Sequence, residues 1–302
     1  MLKKLALCLI GTASLASSAC TIDVQGSGIG QQATVREQRT IQLTGMPSVT
    51  VRVFNGSVRL RSWDRNEILV DIERRAASEA EARRIVIETS EDAGDVLIEQ
   101  KNSRRSDDWI RFERSPSVVL TINVPRQLRV DVRTGDGAID AQDLTGSVQL
   151  RSGDGPIRLQ RVDGDISVNT GDGSVMAREL GGTVAVTTGD GSVEISGRFE
   201  GLRARTGDGM IGIDALPGSS MRSEWRVSTG DGGVMMRLPR ELDADIEAHT
   251  GDGSITTTGI DVLTPQRRDD YVDRRNVRGR LGKGGEMLTV RTGDGSINLI
   301  AR

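Results

Sequence analysis

Apolar and polar residues alternate along most of the chain, with the period of two that is typical of half-buried β-strands. The segment VTVRVFNGSVRLRSW, which starts at Val49, predicts two strands joined by an Asn55-Gly56 turn. The segments EILVDIE, IVIETS, DVLIEQ and SVVLTINVP continue the alternation, while SEAEARRI predicts a short helix with Ser78 as its N-cap. Residues 46–125 are therefore predicted to form a β-rich N-terminal region with one short helix.

A repeated Gly-Asp-Gly motif dominates the chain after residue 125. The first glycines of its eight copies stand at positions 135, 153, 171, 189, 207, 230, 251 and 293. The first four steps are all 18 residues, and each unit holds two short alternating segments, as in GSVEIS and GLRART. A constant period of this length indicates a repeat architecture over residues 126–302, with two strands and two turns in each unit.

Two all-β folds could use such a unit. An antiparallel meander would need a separate layer to cover its apolar face, and residues 126–302 supply no helices for that purpose. The pattern favours a single-stack β-solenoid with two short strands per coil of about 18 residues. In that fold one unit should lie on the previous one, with Val193, Ile195, Leu202 and Ala204 on Val175, Ala177, Val184 and Val186, respectively.

The motif itself predicts a tight turn at the same place in every coil. Glycine can adopt positive φ, the aspartate can accept hydrogen bonds from nearby backbone N–H groups, and the preceding threonine can form a hydroxyl ladder. The eight stacked aspartates are Asp136, Asp154, Asp172, Asp190, Asp208, Asp231, Asp252 and Asp294. They are interpreted as a structural turn column, with a weak cation site as the alternative. Calcium-binding β-rolls place aspartate differently, in shorter repeats, so no metal or cofactor is predicted.

The N-terminus predicts export. Lys3 and Lys4 precede an apolar run that is too short to span a bilayer, and SSAC follows it. Residues 1–19 resemble a bacterial lipoprotein signal, which implies lipid attachment at Cys20 and anchoring to a membrane of the cell envelope. The alternative is cleavage after Ala19 and secretion of a soluble protein.

Two segments, residues 20–45 and 264–287, depart from the alternating pattern of the rest of the chain. Residues 20–45 show no sustained period and are predicted to form a tether. The last step between motifs is 42 residues, which indicates a charged insertion at 264–287. Its arginines are either part of a solvated loop or a contact for an anionic envelope surface; the candidates are Arg267, Arg268, Arg274 and Arg275.

Composition narrows the function. Net charge is −3 and aromatic residues make up only 2%, so nucleic acid is not expected as a partner. His249 is the only histidine, which disfavours a catalytic triad or a histidine zinc site, and it is expected to be an ordinary strand residue. A non-enzymatic binding or scaffolding role is therefore expected, with an unknown envelope protein or glycan as the partner. The alternative is a carbohydrate-active β-helix enzyme acting on polysaccharide.

Several segments together carry a resemblance to a known family. The segments are VFNGSVRLRSWDRNEILVDIE, VVLTINVPRQLRVDVRTGDGAI, the serial TGDGSV units and VRGRLGKGGEMLTVRTGDGSINL. Over roughly residues 46–302 the chain resembles the bacterial β-strand-repeat proteins of unknown function that are described as "putative adhesins". The resemblance implies the repeat architecture and a role at the cell surface, with some relatives linked to envelope stress, and it supplies no catalytic residues.

Overall fold

The computed structural model describes residues 18–21, 33–43, 45–101, 116–263 and 275–302. This part of the chain is all-β apart from one short helix. The elements before the repeats are β1 (Ser18–Thr21), β2 (Ala33–Gln42), β3 (Ser48–Val53), β4 (Gly56–Trp63), β5 (Glu67–Ala76), α1 (Glu79–Arg84), β6 (Val86–Asp92), β7 (Asp95–Lys101) and β8 (Ser117–Pro125).

The strands of the repeats are shorter on average and follow one another closely. They are β9 (Gln127–Thr134), β10 (Ile139–Gln142), β11 (Thr145–Ser152), β12 (Ile157–Gln160), β13 (Asp163–Asn169), β14 (Val175–Thr187), β15 (Val193–Arg205), β16 (Ile211–Ala215), β17 (Trp225–Ser228), β18 (Val234–Leu238), β19 (Ala244–Thr250), β20 (Ile255–Thr258), β21 (Asp261–Val262), β22 (Asn276–Leu281), β23 (Met287–Thr292) and β24 (Ile297–Ala301).

The helix forms where the sequence predicts it. The Ser78 side chain accepts a hydrogen bond from the Glu81 backbone N–H at 3.3 Å, which satisfies one free donor of the first turn. Glu79 and Glu81 lie in that first turn, where their negative charges interact favourably with the positive end of the helix dipole. Ala82 is buried and packs with Val35 and Ala76 in a small separate core.

The strands form two rows, which we call row A and row B. Row A runs in the order β1, β2, β5, β8, β4, β10, β12, β14, β15, β16, β18, β24, β20. Row B runs in the order β6, β7, β3, β9, β11, β13, β14, β15, β17, β23, β19, β22, β21. The long strands β14 and β15 belong to both rows, so all described strands join into one hydrogen-bonded sheet.

Pairing is parallel from β8 to β20 in row A and from β7 to β19 in row B, and in the middle of the rows it follows the 18-residue step. Val193 lies opposite Val175 and Leu202 lies opposite Val184, and the predicted contacts of Ile195 and Ala204 are confirmed in the same way. Parallel pairing rules out the antiparallel meander. The inward residues of both rows are almost completely buried and form a single hydrophobic core, so each row covers the apolar face of the other.

The N-terminal end of the rows does not follow chain order. Strands β3 and β4 lie between β7 and β8 on one side and β9 and β10 on the other. Asn55-Gly56 occupies the place of a Gly-Asp-Gly turn, because Thr134 Oγ1 donates to Gly56 O at 2.7 Å. The N-terminal region thus contains a unit, β3 and β4, that pairs in the same way as the repeats after residue 125.

The C-terminal end shows the same arrangement. The last unit of the chain, strands β23 and β24 (residues 287–301), lies between β17 and β18 on one side and β19 and β20 on the other. We call it the inserted unit. Thr292 Oγ1 accordingly donates to Gly232 O at 2.8 Å, and Thr250 Oγ1 donates to Gly295 O at 2.7 Å. The simple sequential stacking expected for the repeats is therefore wrong at this end.

Antiparallel strands cover the ends of the rows. One of them, β2, lies within residues 20–45, so the prediction of a tether is wrong over residues 33–42. Residues 33–42 form β2, which pairs with β5 along its whole length. Its alternation is hidden because the inward positions carry Glu37 and Arg39 as well as Val35 and Ile41. Glu37 accepts hydrogen bonds from Arg39 Nε at 2.6 Å and from Arg74 Nη2 at 2.5 Å, so this charged network takes the place of an apolar face.

The predicted insertion at 264–287 is also partly a strand. Residues 276–281 form β22, which pairs antiparallel with β19 and covers the end of row B. Met287 already begins β23 of the inserted unit. Residues 264–274 lie outside the described part of the chain.

Candidate functional site

The eight aspartates of the Gly-Asp-Gly motifs form an exposed edge where the chain passes from row B to row A. Every one of them is exposed. They follow the order of the strands, so Asp294 stands between Asp231 and Asp252. None of the eight accepts a hydrogen bond or forms an ion pair in the described chain, so the predicted bonds to turn N–H groups are not formed. The carboxylates are left to the solvent.

The sequence predicts that the glycines beside these aspartates adopt positive φ. In the structure they are needed because the backbones of neighbouring units approach each other closely. None of the motif glycines has positive φ. A Cβ built on Gly191 would instead overlap the carbonyl oxygen of Gly173 in the neighbouring unit, and the same holds at Gly209 against Gly191. Backbones this close leave no room for a side chain.

The threonines before the motif are buried inside the turn. Thr188 Oγ1 donates to the carbonyl oxygens of Gly171 and Gly173, both at 3.0 Å, and Thr206 repeats this one unit later. Each hydroxyl therefore ties its unit to the previous one. The turn is held by threonine and backbone, which leaves the aspartate free of any structural bond.

Metal binding at this edge would need more ligands than the geometry brings together. In the described residues, no three His, Cys, Asp or Glu side chains are close enough to hold a metal ion. Calcium prefers six to eight oxygen ligands. The aspartate edge presents one carboxylate per strand spacing, which creates a line of negative charge and no coordination sphere.

The other sequence-derived candidates lie at the two ends. Cys20 falls in β1, where its backbone is paired with that of Glu37 in β2. Arg267, Arg268 and Arg274 lie outside the described residues, while Arg275 is described and exposed. His249 lies on β19 with Nδ1 2.6 Å from Asn276 Oδ1, as a strand residue of row B. Among the described residues, no helix is long and apolar enough to cross a membrane.

A second feature, which the sequence analysis missed, is a cluster of arginines on the outer surface of row B. We call it the arginine face, and it consists of Arg203, Arg205, Arg226 and Arg291. All four are exposed because their neighbours Ala204, Val227 and Val290 point into the core.

The register brings these arginines together from three strands. Arg203 of β15 lies directly opposite Arg226 of β17. Arg205 is opposite Ser228, which is in turn opposite Arg291 of the inserted unit. Neighbouring strands are about 4.8 Å apart, so Arg205 and Arg291 are about 10 Å apart along the row. An extended anionic partner could contact them together.

Among the residues that the structure describes, one carboxylate lies within this cluster. Glu224 Oε2 is 2.5 Å from Arg226 Nη2, and Thr289 Oγ1 donates to Glu224 Oε1 at 3.1 Å. The hydrogen bond from Arg226 lowers the pKa of Glu224, and Thr289 and the charge of Arg203 act in the same direction. The guanidinium groups of Arg203, Arg205 and Arg291 form no hydrogen bond or ion pair in the described chain. The face therefore carries an excess of positive charge.

Part of this face could have been found in the sequence. An arginine stands directly before the Thr-Gly-Asp-Gly or Ser-Gly-Asp-Gly motif at residues 133, 151, 205 and 291, and the two-residue period places it outward. The proximity of Arg291 to Arg226 could not have been found, because it depends on the inserted unit.

The described chain is thus an all-β protein built from Gly-Asp-Gly units with an exposed acidic edge and a basic face. It belongs to the Toastrack family, DUF4097, whose family model matches residues 15–300. A search of curated proteins found no match.

Solved structures match most of this chain at low sequence identity. A "putative adhesin" from Parabacteroides merdae is 12% identical, with a TM-score of 0.50 and coverage of 90% of this chain and 97% of that one. A "putative lipid binding protein" from Parabacteroides distasonis is 13% identical, with a TM-score of 0.49 and coverage of 87% and 96%. A "putative cell adhesion protein" from Clostridium sporogenes is 13% identical, with a TM-score of 0.29 and coverage of 88% and 99%. At 12% identity, the likeness to the first of these structures concerns the fold alone.

Proposed function

We propose that this protein is an adhesin-like binding or scaffolding module of the bacterial cell envelope, without catalytic activity. In this proposal the two rows are the sheets of a single-stack β-solenoid, a rigid rod that holds a binding surface away from the membrane. The partner is an anionic component of the envelope, either a glycan or a protein, and the role is linked to envelope stress.

The observation that carries the proposal is the arginine face. Four exposed arginines share the outer surface of row B, and among the described residues one carboxylate, that of Glu224, is bonded to Arg226 there. Arginine binds carboxylates and phosphates through paired N–H groups. Arg203, Arg205 and Arg291, which have no hydrogen-bond or ion-pair partner in the described chain, suit a partner with many negative groups, such as an acidic polysaccharide.

The position of the predicted anchor supports this role. Cys20 lies in β1 at one end of row A, and β15, which carries Arg203 and Arg205, is eight strands further along that row. Eight spacings of about 4.8 Å place the arginine face about 38 Å from the anchored end. A lipid-anchored Cys20 would therefore hold the base of the rod at the membrane and present the arginine face to the surroundings.

Binding can be tested with the purified mature chain, starting at residue 20 and carrying Cys20→Ser. Its retention on isolated peptidoglycan, lipopolysaccharide and envelope membranes is measured for the parent and for the double variant Arg203→Glu/Arg205→Glu. A matched control is Arg59→Glu/Arg61→Glu, which reverses two exposed arginines at the same spacing on row A. We expect retention to fall at least tenfold for the first variant only. Equal retention of both variants, or turnover of any glycan, would contradict the proposal.

Anchoring is tested separately in cells. Cys20→Ala should leave the fold intact and abolish membrane association, because the acyl chains would be the anchor. Labelling with a palmitate analogue measures this directly. Equal labelling of Cys20→Ala and the parent would refute lipid attachment at Cys20.

A further inference from the structure

The outer surface of row A carries a groove that the proposed function does not use. It has a volume of about 660 Å³ and crosses strands β15, β16, β18 and β24. This volume falls within the range of about 300–1,000 Å³ that small-molecule sites occupy. We call it the methionine groove, after Met210 and Met235, which line it.

The floor of the groove is Gly212. It lies opposite Glu194 on one side and Met235 on the other, so a side chain is missing between two that are present. A Cβ built on Gly212 would meet nothing closer than Val193 O, at 3.9 Å, and its φ is not positive. Unlike the motif glycines, Gly212 is not required by backbone contact, and the open space above it is available to a ligand.

Two methionines form an apolar wall beside the floor. Met210 and Met235 are 66% and 41% exposed, which is unusual for large apolar side chains. Unbranched thioether side chains adapt to irregular apolar ligands. A hydrocarbon chain could lie on the Gly212 backbone between these two residues and cover surface that is now in water.

An arginine without a partner in the described chain lies at the other end of the groove. Arg237 is half-buried and lies opposite Asp214 in the register. Asp214, however, accepts from Arg302 Nη2 at 2.5 Å, and the Arg237 guanidinium has no hydrogen-bond or ion-pair partner in the described chain. Glu194 is 3.9 Å from Arg178, so the second carboxylate of the groove also has a basic neighbour. One guanidinium is left over, and an anionic group would complement it.

From this geometry we infer that the methionine groove binds a single-chain amphiphile with an anionic head group, such as a fatty acid. The hydrocarbon chain lies over Gly212 between Met210 and Met235, and the head group bonds to Arg237. This site is separate from the arginine face, which lies on row B.

The test uses the mature chain with Cys20→Ser and ¹³C-methyl-labelled methionine. Decanoate is added below its micelle concentration, and decyltrimethylammonium serves as a probe with the same chain length and the opposite charge. We expect saturable shifts of the Met210 and Met235 methyl signals with decanoate, while Met46 at the far end of the molecule stays unchanged. Binding of decyltrimethylammonium should be at least about tenfold weaker, because a charge-assisted hydrogen bond contributes roughly that factor or more.

Variants separate the groove from general detergent binding. Gly212→Leu fills the floor and should abolish the decanoate shifts, whereas Thr256→Leu, on the same outward line beyond the groove, should keep them. Arg237→Gln should weaken decanoate binding about tenfold and remove the preference over decyltrimethylammonium. Circular dichroism checks that the variants fold.

Three results would overturn the inference. They are the absence of saturable decanoate shifts, equal shifts with both head groups, and decanoate binding that survives Gly212→Leu in a folded protein. Broadening of the Met210 and Met235 signals that depends on protein concentration, without decanoate binding, would show that a second copy of the chain occupies the groove instead.

Discussion

The order in which the repeat units pair differs between the middle of the rows and their two ends. Between β9 and β18, successive units of the sequence pair with one another. At both ends one unit lies one place further in than its position in the sequence: β3 and β4 lie inside β7 and β8, and the inserted unit lies inside β19 and β20. Detaching β3 and β4, or the inserted unit, must therefore break two interfaces, whereas an end unit of a simple repeat stack has only one.

The position of the inserted unit also determines which residues form the arginine face and the methionine groove. The inserted unit supplies Arg291 to the arginine face and Asn298 to the methionine groove. In a stack that followed chain order, both residues would lie one unit further from β17 and β18. The candidate sites therefore depend on the irregular end as well as on the regular middle.

The largest effect is expected in the regular middle. Val193→Asp places an unpaired charge in the core, where Val193 is 1% exposed, and should lower the free energy of unfolding by about 3–5 kcal/mol. Its neighbour Glu194 points outward, so Glu194→Lys should change it by under about 0.5 kcal/mol. Urea unfolding measures both. Similar losses would mean that the two faces of β15 are assigned wrongly.

A second pair of variants compares two glycines of adjacent units. Gly191→Ala should cost about 1–3 kcal/mol, because its Cβ overlaps Gly173 O and the units must move apart. Gly212→Ala should be neutral or stabilising by up to about 1 kcal/mol, since it restricts the unfolded chain and meets open space. Thermal and urea unfolding measure the stability of both variants. If Gly212→Ala lowers the free energy of unfolding as much as Gly191→Ala does, close backbone contact is not the reason for the motif glycines.

The charged network of the N-terminal end predicts a pH dependence. Burial raises the pKa of Glu37, but hydrogen bonds from Arg39 and Arg74 outweigh it and hold the pKa below its ordinary value. A lowered folded pKa contributes stability above the unfolded pKa of about 4.3, and this is lost as the pH falls through the folded value. Glu37→Gln should therefore cost about 1–2 kcal/mol at pH 7 and progressively less below about pH 4. A cost that is independent of pH would contradict the role assigned to this network.

The smallest effect is expected at the aspartate edge, which runs through the middle and the C-terminal end alike. Thermal unfolding in EDTA and in 1 mM calcium should differ by only a few degrees, because one carboxylate per strand supplies too few ligands. Magnesium at equal ionic strength is the control. A shift above about 10 °C that is specific for calcium would make the edge a calcium site.

The sequence predicts the middle well because its period and register are local. Val193 and Val175 are one 18-residue step apart, and alternation alone places both in the core. The ends are harder to predict from sequence, since two of the inward positions of β2 carry the charged residues Glu37 and Arg39 and break the apolar alternation. The position of the inserted unit depends on which edges pair, and the motifs at Gly251 and Gly293 are equally suited to follow Gly230. The aspartates were found from the motif, whereas the arginine face needed the pairing of β15, β17 and β23.

The insertion of the last unit can be measured by disulfide trapping. In the mature chain with Cys20→Ser, Ser228→Cys/Arg291→Cys joins neighbouring outward positions, whereas Ser228→Cys/His249→Cys joins positions two strands apart. Neighbouring strands lie about 4.8 Å apart, within the Cα range of disulfides, and two spacings exceed it. The first pair should oxidise rapidly and completely in the folded protein, and the second should stay reduced. Rapid oxidation of the second pair, with the first reduced, would show that the units stack in chain order and would refute the inserted unit.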